Sequence, residues 1–435
     1  MSNSTLWRLR YLDGLRGVAI IQVVMSTYLA AFHPQLQPTP LFQHDSPGAV
    51  VIAMLADGYS GICMFLAVSG FALTWACGGN HASVPRLVAG RAVRLAIPAV
   101  AGILLGAAVV LALPGTPQAA SVLTGSPLLA ALFPVGPTPA LVARDVATAF
   151  LTGYNGSSAA ADTIAWYSNA LFPVGNTLHL SFPLMESFNP ALWSLCLQTL
   201  GSLITIILIA ARRMGPMVWG ALFVTAAACL ALTPLAAMLV GHLVARVRLT
   251  RDPTASLALM VPVLFVGAYL CLVPFGPFSP ALSEICASPW LSLTACADPG
   301  HLLKIAGVSV IFCACTVTPR LQSILGDGPL AGLGRLSLPI YLSHVPVLGG
   351  ICAAVLLGSN MPAGPDRATL IAITALITLS IATAMLRPID GLGKLVGHRI
   401  ALGRSSRERP VPAGSRGRRI APAAGTSWQR SNSRL

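Results

Sequence analysis

The sequence predicts an all-α, polytopic membrane protein with about ten transmembrane helices. Of its 435 residues, 55% are hydrophobic and only 9% are charged, and its mean hydropathy is +0.76. Soluble domains carry about 25% charged residues, so a large soluble protein of this composition would lack ionic groups to cover its surface. The apolar residues also form runs close to the ~20 residues that cross a bilayer.

Ten apolar runs follow one another along the chain. The fifth and sixth are separated only by Thr233-Pro234, which favours a tight hairpin or one broken helix. The long connection at 114–188 is rich in Gly, Ser, Thr, Asn and Pro, as loops are, and includes a short apolar piece at 128–133. We predict helices at 14–33, 58–77, 92–113, 189–211, 215–231, 233–247, 257–277, 302–318, 337–358 and 367–387.

The placement of Arg and Lys between these runs predicts the orientation of the chain. Positive residues concentrate in cytoplasmic connections, and here alternate connections contain nearly all of them. The other set holds only Arg144, Lys304 and Arg367. We therefore expect both termini in the cytoplasm and an even number of spans. The segments expected in the cytoplasm contain Arg8, Arg10, Arg86, Arg91, Arg94, Arg212, Arg213, Arg246, Arg248, Arg251, Arg320, Arg335 and the basic C-terminal residues.

The chain divides into a transmembrane domain, residues 1–387, and a basic tail, residues 388–435. Pro, Gly, Ser and Ala separate the arginines of the tail, a composition that cannot bury a core and predicts a disordered cytoplasmic segment. Such a tail associates loosely with anionic lipid. Because much of the net charge of +14 lies at this end, the charge does not indicate nucleic-acid binding.

The ten cysteines do not predict a metal site. Most lie within apolar runs, where a buried thiol behaves as a small hydrophobic group. No CxxC pair with metal-ligand spacing occurs. Cys286 and Cys296 share one predicted outer loop, where a disulfide is permitted.

Three arginines are candidates for ligand binding. Arg91 and Arg94 are separated by three positions and therefore share one helix face, and Arg16 lies at the same predicted depth on the first helix. Guanidinium groups bind phosphate through paired hydrogen bonds. The residues alone leave two equal alternatives, a site for a phosphate-bearing ligand and simple topological anchoring.

Five segments form a recognisable series of motifs. They are YLDGLRGVA at 11–19 (Asp13, Gly14, Arg16), GICMFLAVSGF at 61–71 (Ser69, Gly70, Phe71), RAVRL at 91–95 followed by Pro98, NPALWSL at 189–195 (Trp193), and LGRLS with YLSHVP at 333–337 and 341–346 (Tyr341, His344). In identity and order, these segments resemble the motifs of the acyltransferase-3 family of membrane O-acyltransferases.

The resemblance implies a ten-helix enzyme that moves an acyl group, commonly acetyl, from cytoplasmic acyl-CoA to a hydroxyl of an extracytoplasmic glycan or related lipid-like acceptor. Acyl-CoA would be a co-substrate, and no bound cofactor or metal is implied. By the same resemblance, Arg16, Arg91 and Arg94 would hold the CoA phosphates or line the donor channel.

Two positions depart from the family pattern. The family usually has a histidine eleven residues after the first-helix arginine, where this chain has Thr27, and a glutamate after LWSL, where it has Gln198. A threonine is a poor base without an activating partner. His33 is six residues further on, about 9 Å along the helix axis, and cannot occupy the same place. His344 is therefore the predicted substitute base, since imidazole titrates near neutrality.

The sequence is also compatible with two other functions. The replacements at Thr27 and Gln198 favour a catalytically inactive relative that acts as a regulator or partner. A solute transporter would use the same kind of helical bundle, but neither inverted repeats nor paired broken helices are visible.

Overall fold

Helices occupy the positions of all ten predicted apolar runs in the computed structural model. Short helices fill several of the connections. The structure describes residues 9–36, 47–77, 83–149, 154–155, 182–231, 233–251, 253–272, 299–359, 361–362 and 364–402. Within these ranges the helices are α1 Arg10–Phe32, α2 Pro47–Leu55, α3 Gly58–Cys77, α4 Val84–Ala112, α5 Thr116–Thr124, α6 Pro127–Ala131, α7 Pro139–Ala147, α8 Trp193–Met214, α9 Pro216–Leu230, α10 Leu235–Thr250, α11 Leu257–Leu272, α12 Pro299–Val317, α13 Pro319–Asp327, α14 Pro329–Arg335, α15 Ser337–Pro346, α16 Ala353–Gly358 and α17 Pro365–Leu402.

The described part of the chain also contains a few short elements between the α-helices. A π-helical segment, Val347–Cys352, joins α15 to α16. Two-residue strands, β1 Tyr154–Asn155 and β2 Phe182–Pro183, pair in parallel. Single 3-10 turns are formed by Pro34–Leu36, Leu184–Glu186 and Pro190–Leu192.

Among the described residues, seven helices are long and apolar enough to cross a bilayer. They are α1, α3, α4, α8, α12, the continuous α15–α16 rod and α17. The helices α9 and α11 are also apolar but contain only 15 and 16 residues. The all-α membrane architecture is thus confirmed, whereas the number of ten spans is not.

The last helix is longer than the sequence predicts. It continues to Leu402, fifteen residues beyond position 387, so the prediction of disorder is wrong for residues 388–402. The helix continues because it packs on α4. A Cβ atom on Gly397 would lie 2.4 Å from the Gly90 carbonyl oxygen, so only glycine allows these two backbones to approach so closely. Residues 403–435 lie outside the described residues.

The long connection at 114–188 contains three short helices, α5 to α7, in place of a simple loop. Its apolar piece packs against the protein, with Leu129 and Leu132 almost fully buried. The Ser126 hydroxyl donates to the Ala30 carbonyl of α1 at 2.6 Å. The predicted pairing of Cys286 with Cys296 falls outside the described residues.

Glycines of the first and fifth motifs bring α1 into contact with α13 and α14. A Cβ atom on Gly14 would lie 2.2 Å from the Leu325 carbonyl oxygen, and one on Gly334 would lie 1.6 Å from the Asp13 carbonyl oxygen. Both contacts join backbones, which cannot move aside as a flexible side chain can. These glycines therefore set the position of α1 beside α14.

Candidate functional site

A cavity of about 780 Å³ lies where α1, α3, α4, α8, α14, α15 and α17 converge. All five sequence motifs contribute residues to its wall. The lining residues are Asp13, Arg16, Phe65, Ser69, Arg91, Arg94, Leu95, Ser194, Leu195, Gln198, Gly332, Gly334, Arg335, Leu336, Ser337, Leu338, Tyr341, Arg387, Asp390, Gly391 and Lys394.

The cavity has a strong excess of positive charge. Its described lining contains six cationic side chains and two carboxylates, which leaves a formal excess of four positive charges. Cations collected in a cleft with low-dielectric walls attract a polyanion more strongly than they would on an open surface. The arrangement suits a ligand with several phosphate groups. We call Arg16, Arg91 and Arg94 the inner arginines.

Neighbouring side chains hold two of the inner arginines in place. Arg16 pairs with Asp13, one turn earlier in α1, with Nη1 and Oδ1 3.2 Å apart. Arg91 donates from Nε to the Ser202 hydroxyl of α8 at 3.0 Å, and that hydroxyl donates to the Gln198 carbonyl at 2.6 Å. Both arginines are thus oriented by hydrogen bonds before a ligand arrives.

Tyr341 and Ser194 add hydroxyl groups to the wall of the same cavity. Their hydroxyl oxygens are 2.7 Å apart, and the Tyr341 hydroxyl also donates to the Ala191 carbonyl. Phe65 meets the Tyr341 ring edge-on with centroids 6.3 Å apart. Gln198 also lines the cavity, at the position where the family usually has glutamate.

The structure separates the other two predicted catalytic residues, His344 and Thr27, from the described cavity lining. His344 is 2% exposed and lies 2.6 Å from the Tyr341 carbonyl oxygen through Nδ1. Because a carbonyl only accepts hydrogen bonds, Nδ1 carries a proton, and in the neutral imidazole Nε2 then keeps its lone pair. The Thr27 hydroxyl donates to the Val23 carbonyl of its own helix at 3.1 Å.

His33 does not replace the missing first-helix histidine. It follows the end of α1 and contacts Tyr28, with ring centroids 5.7 Å apart. Burial, and to a smaller extent the nearby Arg367 charge, lower the pKa of His33. It is not among the residues that line the cavity.

The remaining motif residues serve packing in this structure. Besides Gly14 on α1, Gly70 lies against α10, where an added Cβ atom would be 2.1 Å from the Met238 carbonyl oxygen. Phe71 is buried and stacks on Trp75 with centroids 5.7 Å apart. Trp193 is half-buried at the start of α8 and packs against the core.

Sequence reasoning missed the cationic contribution of the last helix. Arg387 and Lys394 line the cavity together with Asp390, and Arg335 of the fifth motif joins them. Positions 387, 390, 391 and 394 share one face of a helix, so the pattern was available. A predicted span that ends at 387 leaves most of this face outside the membrane domain.

Within the described part of the chain, no group of three or more His, Cys, Asp or Glu side chains is arranged to hold a metal ion. The lining of the cavity offers guanidinium and ammonium groups for electrostatic binding, next to hydroxyl and amide side chains.

Comparison with known proteins places the chain in a family. The acyltransferase-3 model, described as an acyltransferase domain, matches residues 9–387. No curated protein and no solved structure matches the chain. The matched range includes the inner arginines and nearly the whole described bundle. The chain therefore belongs to the acyltransferase-3 family of acyltransferase domains.

Proposed function

We propose that this protein is a membrane O-acyltransferase that moves an acyl group, commonly acetyl, from cytoplasmic acyl-CoA to a hydroxyl of an extracytoplasmic glycan or related lipid-like acceptor. The observation that carries the proposal is the convergence of Arg16, Arg91 and Arg94 on one cavity with an excess of positive charge. Acyl-CoA supplies a matching polyanion, with a pyrophosphate and a ribose phosphate. The orientation rests on the distribution of Arg and Lys in the sequence.

We infer that the acyl end of the donor extends along one face of α15. Ser337, Tyr341 and His344 are spaced i, i+4 and i+7 and therefore share one helix face. Ser337 and Tyr341 line the cavity, and His344 is one turn beyond Tyr341. A donor whose phosphates bind the inner arginines would extend its thioester along this face.

The transfer step then requires one base. The acceptor oxygen attacks the thioester carbonyl carbon, the new C–O bond forms, the C–S bond breaks, and CoA leaves as a thiol. The hydroxyl proton passes to the base and then to the departing sulfur. His344 is the proposed base because its Nε2 keeps a lone pair while Nδ1 is held by the Tyr341 carbonyl.

Replacement of both Arg91 and Arg94 by Lys tests the donor site. Lysine keeps the positive charge, and with it the topology signal, but removes the planar forks that bind phosphate. We expect the dissociation constant for acetyl-CoA, measured on purified protein in neutral lipid, to rise at least tenfold. Arg86→Lys is the matched control, because Arg86 is exposed on the same helix and does not line the cavity. Unchanged binding in the double variant would remove the basis of the proposal.

One observation favours an inactive relative as the second candidate. The Thr27 hydroxyl is engaged by its own helix, and no histidine occurs among the described lining residues. Thr27→His distinguishes the two functions. We expect it to raise O-acetyl transfer if the chain is an enzyme. Absence of transfer in both forms, together with a stable co-purifying partner, would favour the regulator.

A further inference from the structure

The last helix extends well past the thickness of a membrane. Its 38 residues span about 57 Å at 1.5 Å per residue, whereas the hydrocarbon core is about 30 Å thick. Arg387 and Lys394 are both exposed, in contrast to the half-buried inner arginines. The cavity therefore has an inner group of three arginines and three exposed cations, which are Arg335 of α14 and the outer pair, Arg387 and Lys394, on α17.

Packing fixes the outer pair beside the inner group. An added Cβ atom on Gly393 would lie 3.1 Å from the Arg94 carbonyl oxygen, and one on Gly397 would lie 2.9 Å from the Arg94 Cβ atom. The extension is thus in van der Waals contact with the segment that carries an inner arginine. Since Arg387 and Lys394 are seven positions apart, they share one face, about 10 Å apart along the axis.

Asp390 holds Lys394 at the cavity. The two side chains form an ion pair one turn apart, in the favourable order of acid before base. The Asp390 side chain is 5% exposed and the Lys394 side chain 45% exposed. The carboxylate is therefore a buried anchor, while the ammonium group remains accessible to a ligand.

We propose that the C-terminal part of α17, from Arg387 onward, forms the subsite for the 3′-phosphate of the donor nucleotide, with Arg387 and Lys394 as its ligands and Asp390 as the residue that positions Lys394. This inference rests on the proposed function. In acyl-CoA the thioester and the 3′-phosphate are at opposite ends, with the pyrophosphate between them. A thioester directed along α15 places the pyrophosphate at the inner arginines and the 3′-phosphate at the exposed pair. A phosphate monoester carries about −1.5 to −2 charges at neutral pH.

The test compares acetyl-CoA with 3′-dephospho-acetyl-CoA. Dissociation constants are measured on the full chain in phosphatidylcholine nanodiscs at low ionic strength, where exposed charges are least screened. We expect wild-type protein to bind acetyl-CoA about tenfold more tightly than the dephospho form, an effect of the size of one charge-assisted contact. The double variant Arg387→Gln/Lys394→Gln should reduce this tenfold preference to about threefold or less. It should do so by weakening the binding of acetyl-CoA while leaving the binding of the dephospho form unchanged. Arg399→Gln, exposed on the same extension and outside the cavity lining, should keep it.

A conservative double variant controls for folding. Arg387→Lys/Lys394→Arg retains both charges and should retain the preference. Equal binding of both nucleotides to wild-type protein, or a preference that persists in the Gln variant, would overturn the subsite and leave the proposed function standing. Binding of neither nucleotide would contradict the proposed function itself. If replacing part of the phosphatidylcholine by phosphatidylglycerol abolishes the preference, the pair binds a lipid headgroup and the proposal is wrong.

Discussion

Asn189 donates a hydrogen bond from Nδ2 to the Leu342 carbonyl at 2.7 Å, and this carbonyl is the one that Pro346 leaves without its usual helical donor. The same amide nitrogen also donates to the Gly102 carbonyl of α4 at 3.2 Å. One fully buried side chain therefore joins α4 to α15. It also supplies the hydrogen bond that Pro346 cannot give to this carbonyl, two residues before His344.

Asn189→Ala should destabilise the protein because it leaves the Leu342 carbonyl buried without a donor. Loss of a partner to a buried polar group costs about 1–3 kcal/mol. We expect a lower midpoint of thermal unfolding in detergent, and lower transfer activity because α15 is less well placed. Asn189→Gln provides the comparison, since it retains the amide with a longer reach. An unchanged midpoint in the Ala variant would show that the bond contributes nothing.

Gly334→Ala should disrupt the contact between α1 and α14. Its methyl group would lie 1.6 Å from the Asp13 carbonyl oxygen, a backbone atom. We expect a strong loss of folded protein, measured by monodisperse yield in size-exclusion chromatography. Gly332→Ala is the matched control, because a Cβ atom there meets nothing within 4 Å. Equal yields from the two variants would contradict this role of the fifth-motif glycine.

Lys304 and Asp57 form a buried ion pair in which each charge neutralises the other. The main effect of each residue on the stability of the fold should be to keep its partner from being buried unpaired. The Lys304 Nζ atom is 2.8 Å from Asp57 Oδ1, and the two side chains are 9% and 3% exposed. Breaking a buried pair by removing one partner costs about 3–5 kcal/mol, because the other charge remains unpaired. We expect Lys304→Met to lower the unfolding midpoint more than Lys304→Met/Asp57→Asn does. The reverse order would contradict this role, because it would show that an unpaired Asp57 carboxylate is tolerated in the folded protein.

His344→Ala and His344→Asn separate a catalytic role from a structural one. An asparagine can keep a hydrogen bond to the Tyr341 carbonyl but cannot accept a proton near neutral pH. We expect both variants to abolish acyl transfer while the protein remains folded and inserted. Acetyl-CoA binding should persist in both, because His344 does not line the cavity that contains the inner arginines. Activity retained in the Asn variant alone would make His344 structural and leave the base unidentified.

Reporter fusions test the predicted orientation. Because α17 continues to Leu402, the C-terminal fusion is best placed after that residue rather than after 387. We expect a fluorescent protein there to mature in the cytoplasm, and alkaline phosphatase inserted near Gly156 to be active outside it. Protease cleavage of the tail from outside intact cells would contradict this orientation.

The sequence determined the membrane architecture because that property is local. A bilayer requires runs of about 20 apolar residues, and helices occur at each predicted run, although only seven described helices meet the length and hydropathy needed to span. The family motifs also predicted that Arg16, Arg91 and Arg94 meet, and all three line one cavity. The spacing of Arg91 and Arg94 places these two on one helix face, whereas their meeting with Arg16 was predicted from the resemblance to the family.

Only the tertiary structure decided which residues complete the site and which stand apart from it. Asn189 bonds a carbonyl 153 positions away, and Lys304 pairs with a carboxylate 247 positions away. Neither partner is marked by any periodic pattern. The helix beyond 387 persists because glycines let it pack on α4, although Pro388 and the glycines themselves lower its local helix propensity. Contacts between distant segments override local propensity, and this is why a span predicted to end at 387 leaves Lys394 outside it although the helix continues to Leu402.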